Sequence, residues 1–192
     1  MIILGISGKR ESGKSSLAKS LERFGYLRVS LATPLKEECK KLYSLTDEQV
    51  YGKDKETPTN RQRTDGSFYT PRDILIREGM LKRAIDKNYW CLKLHDTMSS
   101  IKVQTGKDMF VIDDIRFQNE IDYFSKLGAK FVRIERSQDA IKKAAIDDLS
   151  ETELDGYKGW DFKLEEIFNR NLADLDTFAA HIVEELIDAR LH

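Results

Sequence analysis

The sequence has almost no net charge: 32 basic and 33 acidic side chains among 192 residues leave −1 at neutral pH. No global positive field therefore exists to hold polymeric nucleic acid or an anionic membrane, and any anion must be met by a local site. Cysteine is scarce. Cys39 and Cys91 stand 52 positions apart without a CxxC, and the three histidines, His95, His181 and His192, do not cluster. Neither a disulfide scaffold nor a zinc site is indicated by that pattern, which suits a reducing cytosol. Long apolar runs are missing too. The chain opens on Met1 to Ile6 and turns at once to Gly, Lys and Arg, so neither a membrane span nor a leader segment is expected. Repeats and low-complexity tracts are also absent. What remains is the composition of one ordinary soluble, cytoplasmic domain, or of a domain with a small insert.

The opening run Met-Ile-Ile-Leu-Gly-Ile is continuously apolar rather than alternating, as in a strand buried on both faces of a parallel sheet. Leu17, Leu21 and Phe24 then recur at helical spacing beside Ala18, and Gly25 supplies a stop. Tyr26 to Leu31 reads as a second strand. Pro34 opens a helix through Leu35, Cys39 and Leu42, and Thr46-Asp-Glu-Gln has the form of a capping box. Gly52 to Pro71 is almost wholly polar, with Phe68 and Tyr69 as its only large anchors, and is expected to be a mobile loop. Helices follow from Pro71 and from Tyr89 to about Ser99. Met109 to Ile112 reads as a buried strand, 117–127 as a helix stopped by Gly128, and Lys130 to Glu135 as a strand. Ile141 to Ala145 is expected to be helical, Ser150 to Gly159 a loop, Leu164 to Phe168 the last strand and Leu172 to Ala189 the last helix. Strands alternating with helices argue for a doubly wound parallel α/β sheet, with 1–33 and 101–192 as its core and 34–100 as a helical insertion.

Gly8-Lys-Arg-Glu-Ser-Gly13-Lys14-Ser15 matches G-x-x-x-x-G-K-[ST] in full and falls between a strand and a helix, the context this phosphate loop requires. Glycines let backbone N–H groups converge on phosphate oxygens, and the helix N-terminus adds partial positive charge. Lys14 would reach the β and γ phosphates and Ser15 would ligate Mg²⁺. Asp113 and Asp114 end the third strand, where an acid holds Mg²⁺ through water or orients a nucleophile; a helix cap is the plainer alternative. Neighbours on a strand point to opposite faces, so one of the two faces the nucleotide.

The chain carries neither the N-K-x-D that reads guanine nor the D-x-x-G of switch GTPases, which leaves a small kinase. The insertion holds Lys36, Lys55, Arg61, Arg63, Arg72, Arg77, Lys82 and Arg83, interleaved with Phe68, Tyr69, Tyr89 and Trp90. That set suits a flat anionic acceptor, with guanidinium forks for phosphate and aromatic rings for a base. Arg72 stands out because it follows a proline at a helix start.

Five segments carry a more specific resemblance: Ala32-Thr-Pro-Leu-Lys-Glu37, Leu45-Thr-Asp-Glu-Gln-Val-Tyr-Gly-Lys53, Lys55-Glu56, Thr70-Pro-Arg-Asp-Ile-Leu75 and Asp114-Ile-Arg-Phe-Gln-Asn-Glu120. With the phosphate loop they resemble, in order, the deoxynucleoside monophosphate kinases of tailed bacteriophages. Leu75-Ile76 and Gly79-Met80 stand where that family has Leu-Gln and Gly-Thr. The resemblance implies a P-loop NTPase of the nucleoside monophosphate kinase-like, three-layer fold, with a parallel five-stranded sheet, a helical acceptor-binding insertion and a lid near 115–137. It implies ATP and Mg²⁺ as cofactors and a deoxynucleoside monophosphate as acceptor. Gly8, Arg10, Glu11, Ser12, Gly13, Lys14, Ser15, Ser16 and Arg136 would bind ATP, with the metal at Ser15 and Asp113. Lys36, Lys55, Arg72, Arg83, Trp90, Asp114 and Arg116 would bind the acceptor, and Lys14, Asp114 and Arg116 would serve the chemistry. Ser150-Glu151 resembles the Ser-Glu pair before the family's last strand, and Asn169 or Asn171 the asparagine after it. Polymeric nucleic acid and membrane have no place in this reading, whereas a homodimer is compatible with it. Two other functions fit the phosphate loop: a kinase of another small phosphorylated metabolite, and a non-catalytic ATP-binding regulatory protein.

Overall fold

The computed structural model describes residues 1–136, 152–165 and 171–191. Five strands form one wholly parallel sheet in the order β2-β3-β1-β4-β5. These are β1 (Ile2–Gly8), β2 (Leu27–Val29), β3 (Met109–Ile112), β4 (Lys130–Ile134) and β5 (Phe162–Leu164). Parallel strands need crossover connections: α1 (Lys14–Glu22) lies between β1 and β2, α2 (Ala32–Tyr43), α3 (Asp47–Val50), α4 (Pro71–Ile85) and α5 (Tyr89–Thr105) between β2 and β3, and α6 (Gln118–Ser125) between β3 and β4, while α7 (Leu172–Leu191) follows the last strand. None of the described helices is long and apolar enough to cross a membrane.

The central strand β1 is buried from Ile3 to Ser7, which explains its unbroken apolar run. On one face Leu4 and Ile6 join Val111, Val132 and Ile134 under Leu17, Ala18 and Leu21 of α1 and Leu175, Ala179 and Ile182 of α7. On the other face Phe131 crosses directly over Gly5, where a Cβ would stand 2.7 Å from its ring. That approach requires glycine in the middle of a strand.

The chain divides into two compact units, Met1–Ser30 with Asp96–His192, and Leu31–His95. The boundaries differ by three and five residues from the sequence expectation, the second falling inside α5. Within the smaller unit, Cys39, Leu45, Val50 and Ile74 form a core joined by Leu35, Tyr43, Tyr69 and Leu75. Two capping boxes start its helices, Thr46 with Gln49 and Thr70 with Asp73, the latter followed by Pro71 at the first helical position.

Several expectations need correction. The polar stretch after Gly52 is not irregular: Lys53–Glu56 is a 3₁₀ helix, and the following residues fold back as a narrow hairpin. Thr59 N–H donates to Tyr69 O at 2.8 Å, Tyr69 N–H to Arg61 O at 2.9 Å and Arg63 N–H to Ser67 O at 2.7 Å. Guanidinium groups replace the missing apolar anchors, with Arg61 4.7 Å from the Tyr43 ring centre and Arg63 4.6 Å from that of Tyr69. The last strand runs over Phe162–Leu164, earlier than the expected 164–168, of which 166–168 lie outside the described residues. The helix expected over Ile141 to Ala145 also lies outside them, as do Ser150, Glu151 and Asn169. Asn171 is the cap of α7, its side-chain oxygen accepting from the N–H groups of Ala173 and Asp174 at 2.8 and 3.1 Å.

Both cysteines are buried. Burial pushes the Cys39 thiol up to about 12, with the carboxylates of Glu78 and Glu38 adding to the shift, so little thiolate exists near neutrality. Neither thiol of the folded protein should react with iodoacetamide at pH 8, whereas both should react in denaturant. Mass spectrometry of the alkylated chain checks this, and modification of Cys39 in the native protein would contradict the packing.

Candidate active site

The site begins where β1 runs out. Gly8 has no room for a side chain, because a Cβ there would lie 2.5 Å from Ser12 Oγ and 2.6 Å from the Ile134 carbonyl. The loop then takes two left-handed residues, Glu11 at φ 63° and Gly13 at φ 102°, the second being the N-cap of α1. Successive turns of this kind direct backbone N–H groups toward one point. α1 has no acidic residue in its first turn, so nothing there offsets the positive end of its dipole. The Lys14 ammonium arches over the loop and donates to the carbonyls of Gly8 and Lys9 at 2.7 and 2.6 Å. Arg10 and Glu11 are exposed at the tip, and Ser15 is exposed at the start of the helix. Ser16 accepts the Ser20 hydroxyl on its carbonyl at 3.2 Å. From the end of β4, Arg136 Nη1 donates to the Glu11 carbonyl at 3.3 Å, so the arginine lies beside the loop.

Because β3 pairs directly with β1, with Gly5 opposite Ile112, the two aspartates that follow β3 emerge next to the loop. Asp113 is the one beside Ser15, whose hydroxyl donates to its Oδ2 at 3.1 Å. Only 6% of Asp113 is exposed, and a buried carboxylate needs compensation. Arg28 of β2 supplies it, with Nε at 2.8 Å and Nη2 at 2.5 Å from the same oxygen. Asp114 instead accepts the Ser30 hydroxyl at 2.7 Å. Arg116 follows two residues later, and its backbone N–H donates to Glu120 Oε2 at 2.7 Å.

Sequence reasoning overlooked several of these partners. Arg28 had one signal, a basic residue in a short strand. Glu120 lay in a quoted motif but was not singled out. Arg133 and Asp155 gave no local signal. Arg133 is 8% exposed; it donates to Ser7 Oγ at 3.2 Å and to Asp155 Oδ1 at 3.0 Å, with the Trp160 ring centre 5.6 Å from its guanidinium. The other oxygen of Asp155 takes the ammonium of Lys9 in the phosphate loop at 2.5 Å.

Within the smaller unit, the expected acceptor contacts are dispersed. Arg72, exposed at the start of α4, is paired with Glu56 of the 3₁₀ helix, which also contains Lys55. Lys36 lies 4.6 Å from the Tyr51 ring centre. Arg83 reaches back along α4 toward Gly79. Trp90 requires a correction: it is 2% exposed, donates its indole N–H to the Gly79 carbonyl at 3.2 Å and meets Tyr89 edge-on. It is a core side chain with no ring face left for a base. Glu38 loses some tendency to ionise through burial, but Lys82 at 2.9 Å and the Tyr89 hydroxyl at 3.0 Å outweigh this and hold its carboxyl below the ordinary value. An open pocket of about 400 Å³ lies among Arg63, Tyr69, Asp73, Ile76, Arg77, Met80 and Leu81; Arg63, Tyr69 and Arg77 belong to the basic and aromatic set expected to suit the acceptor, whereas Lys36, Lys55, Arg72, Arg83 and Trp90 do not line it.

The donor set beside the loop suits magnesium. A hydroxyl and a carboxylate 3.1 Å apart are hard oxygen ligands, and no group of three or more His, Cys, Asp or Glu able to hold a metal occurs among the described residues. A cation here would complete its shell with phosphate oxygens and water, which is the habit of Mg²⁺.

A glycine loop closing on a helix N-terminus, with a buried carboxylate at the end of the neighbouring parallel strand, defines a P-loop phosphotransferase of the nucleoside monophosphate kinase-like fold. Solved structures share that fold. Dephospho-CoA kinase of Campylobacter jejuni is similar with a TM-score of 0.52 at 13% identity, over 95% of this chain and 96% of its own. TT1252 of Thermus thermophilus is similar with a TM-score of 0.57 at 18% identity, over 96% and 97%. The chain belongs to the deoxynucleotide monophosphate kinase family, on the strength of a relative of substantial identity along most of its length, and that family's model matches residues 78–156. A protein of Acanthamoeba polyphaga mimivirus that bears the deoxynucleotide monophosphate kinase name is 34% identical over 176 residues, covering 85% of this chain and 88% of the relative.

The crowding at Gly8 makes a direct test of the loop. Overpacking costs about 1–3 kcal/mol, so if that strain falls on the loop, Gly8→Ala should weaken ATP binding by roughly tenfold to a hundredfold. Calorimetric titration with ATP, with circular dichroism as the control for folding, checks it; unaltered affinity would mean that the loop shifts without loss.

Proposed function

We propose that the protein transfers the γ-phosphoryl group of ATP to the 5′-monophosphate of a deoxynucleoside, giving a deoxynucleoside diphosphate and ADP. The observation that carries this reading is the Ser15–Asp113 contact at the mouth of the phosphate loop, in a chain of this family. ATP is held by the backbone between Gly8 and Gly13, with Lys14 turning from the Gly8 and Lys9 carbonyls onto the β and γ phosphates. Bound Mg²⁺ would neutralise phosphate charge and align the oxygens. Ser15 and Asp113 would hold it, and Arg28 keeps the Asp113 carboxylate turned toward the serine. Arg136, Arg10 and Ser16 lie along the same nucleotide path.

Arg72 takes the acceptor phosphate. Its place at the start of α4 and its pairing with Glu56 support this, since a carboxylate that pre-orients a guanidinium can yield to a more highly charged phosphate. An oxygen of the acceptor monophosphate attacks, so no covalent intermediate on the protein is needed. Arg116 meets the charge that develops on the transferred group, and Asp114 lies two residues away, fixed by Ser30. Catalysis is positioning plus charge neutralisation, with water excluded to prevent hydrolysis of ATP. The scheme calls on small nucleotides and no polymeric nucleic acid, is compatible with a homodimer, and operates in the cytoplasm, that of the host cell if the protein is phage-encoded.

ADP release measured with each deoxynucleoside monophosphate in turn tests the reading; ATP binding without acceptor-dependent ADP release would overturn it. Lys14→Ala should retain the fold and lose turnover. Arg72→Ala should chiefly raise the acceptor KM, whereas Arg116→Ala should lower kcat by roughly 10² or more, the scale for removing a transition-state donor. Wild-type kinetics for both arginine variants would remove these assignments.

A further inference from the structure

Arg116 is carried on backbone held at both ends. On its N-terminal side, Ile115 is 1% exposed and its N–H donates at 3.1 Å to the carbonyl of Ile6, two residues before the phosphate loop. On its C-terminal side, a single oxygen of Glu120 accepts the N–H of Arg116 at 2.7 Å and that of Phe117 at 3.1 Å. The next N–H, of Gln118, goes to Glu153 Oε1 at 2.8 Å. Three consecutive donors are thus taken by carboxylates. Glu120 is 2% exposed, and a glutamate is seldom buried so deeply unless its carboxylate is paired. Capping α6 requires just the bond to Phe117, the residue before its first turn. The bond to Arg116 reaches one residue further and is the shorter of the two.

We infer that Glu120 is a positioning residue: its carboxylate fixes the peptide of Arg116 so that the guanidinium is delivered to the transferred phosphoryl group. The inference rests on the role proposed for Arg116. It assigns Glu120 no contact with substrate, and its effect on rate passes entirely through Arg116.

The protein itself suggests the discriminating variant. In α4 the same helix position is held by an aspartate, Asp73, whose oxygen accepts the N-cap N–H of Thr70 at 2.9 Å. The shorter acid therefore suffices for a cap. Glu120→Asp should keep the bond to Phe117 and lose the one to Arg116. The expected result is an unchanged unfolding midpoint, an acceptor KM within about twofold of the parent, and kcat lower by roughly tenfold, as for misplacement of a catalytic group by a fraction of an ångström. Glu120→Gln retains an oxygen that can accept both bonds and should restore kcat to within about threefold. In the Arg116→Ala background, Glu120→Asp should lower kcat by less than about twofold, because the group it positions is gone.

Unaltered kcat in Glu120→Asp would reduce Glu120 to a helix cap. An equal loss in both backgrounds would show that it acts apart from Arg116, and a glutamine variant as slow as the aspartate one would exclude acceptor geometry as the cause. Each of these overturns the inference while leaving the kinase reading intact. Wild-type turnover in Arg116→Ala alone would instead remove the role of Arg116 on which the inference stands.

Discussion

The parallel pairing of β1 with β3 is the constraint on which the site depends. Ser15 and Asp113 are 98 positions apart, and nothing local brings them together. They meet because β1 feeds the phosphate loop from the centre of the sheet and β3 lies immediately beside it, in a register that ends both strands at the same edge. A parallel sheet gathers the C-terminal ends of its strands on one side, and ligands of open α/β proteins bind there for that reason. Arg28 belongs to the same logic. It sits on β2, the other neighbour of β3, and meets Asp113 from the opposite side to Ser15 in the strand order.

Burying that edge brings charge into low-dielectric surroundings, and the structure answers each charge with a named partner. Asp113 has Arg28 and Ser15. Arg133 has Asp155 and Ser7. Glu120 has two backbone N–H groups. In the smaller unit, buried Glu78 accepts the hydroxyl of Tyr43, an interaction that raises the phenol's pKa. Isolated buried charges would cost several kcal/mol, and removal of one partner is more damaging than the pair is stabilising. These buried charged groups are accordingly harder to replace singly than the exposed ones around them.

The hairpin after the 3₁₀ helix shows where composition misleads. Its residues are polar, and apolar content alone argues against order there. Order comes instead from backbone pairing across the hairpin and from arginines laid on Tyr43 and Tyr69. Composition counts side chains that can leave water; it does not count a guanidinium that keeps its hydration on one face while packing the other on a ring. Trp90 is the converse case. An aromatic residue among basic ones reads as a base platform, yet its ring is buried from solvent and its N–H finds the Gly79 carbonyl.

By itself the sequence determined the phosphate loop, the buried strand before it, the acid-ended strand, the alternation that makes a parallel α/β sheet, and the family. These are legible because each is a local pattern: a glycine at a crowded or left-handed position, an apolar run, a cap three residues from its partner. Only the tertiary structure decided that Asp113 and not Asp114 faces Ser15, that Arg28 holds it, that Glu120 grips the peptide of Arg116, and that Trp90 is core. Strand order, register and depth of burial govern those outcomes, and they depend on residues distant in the chain becoming neighbours, which no spacing in one sequence records.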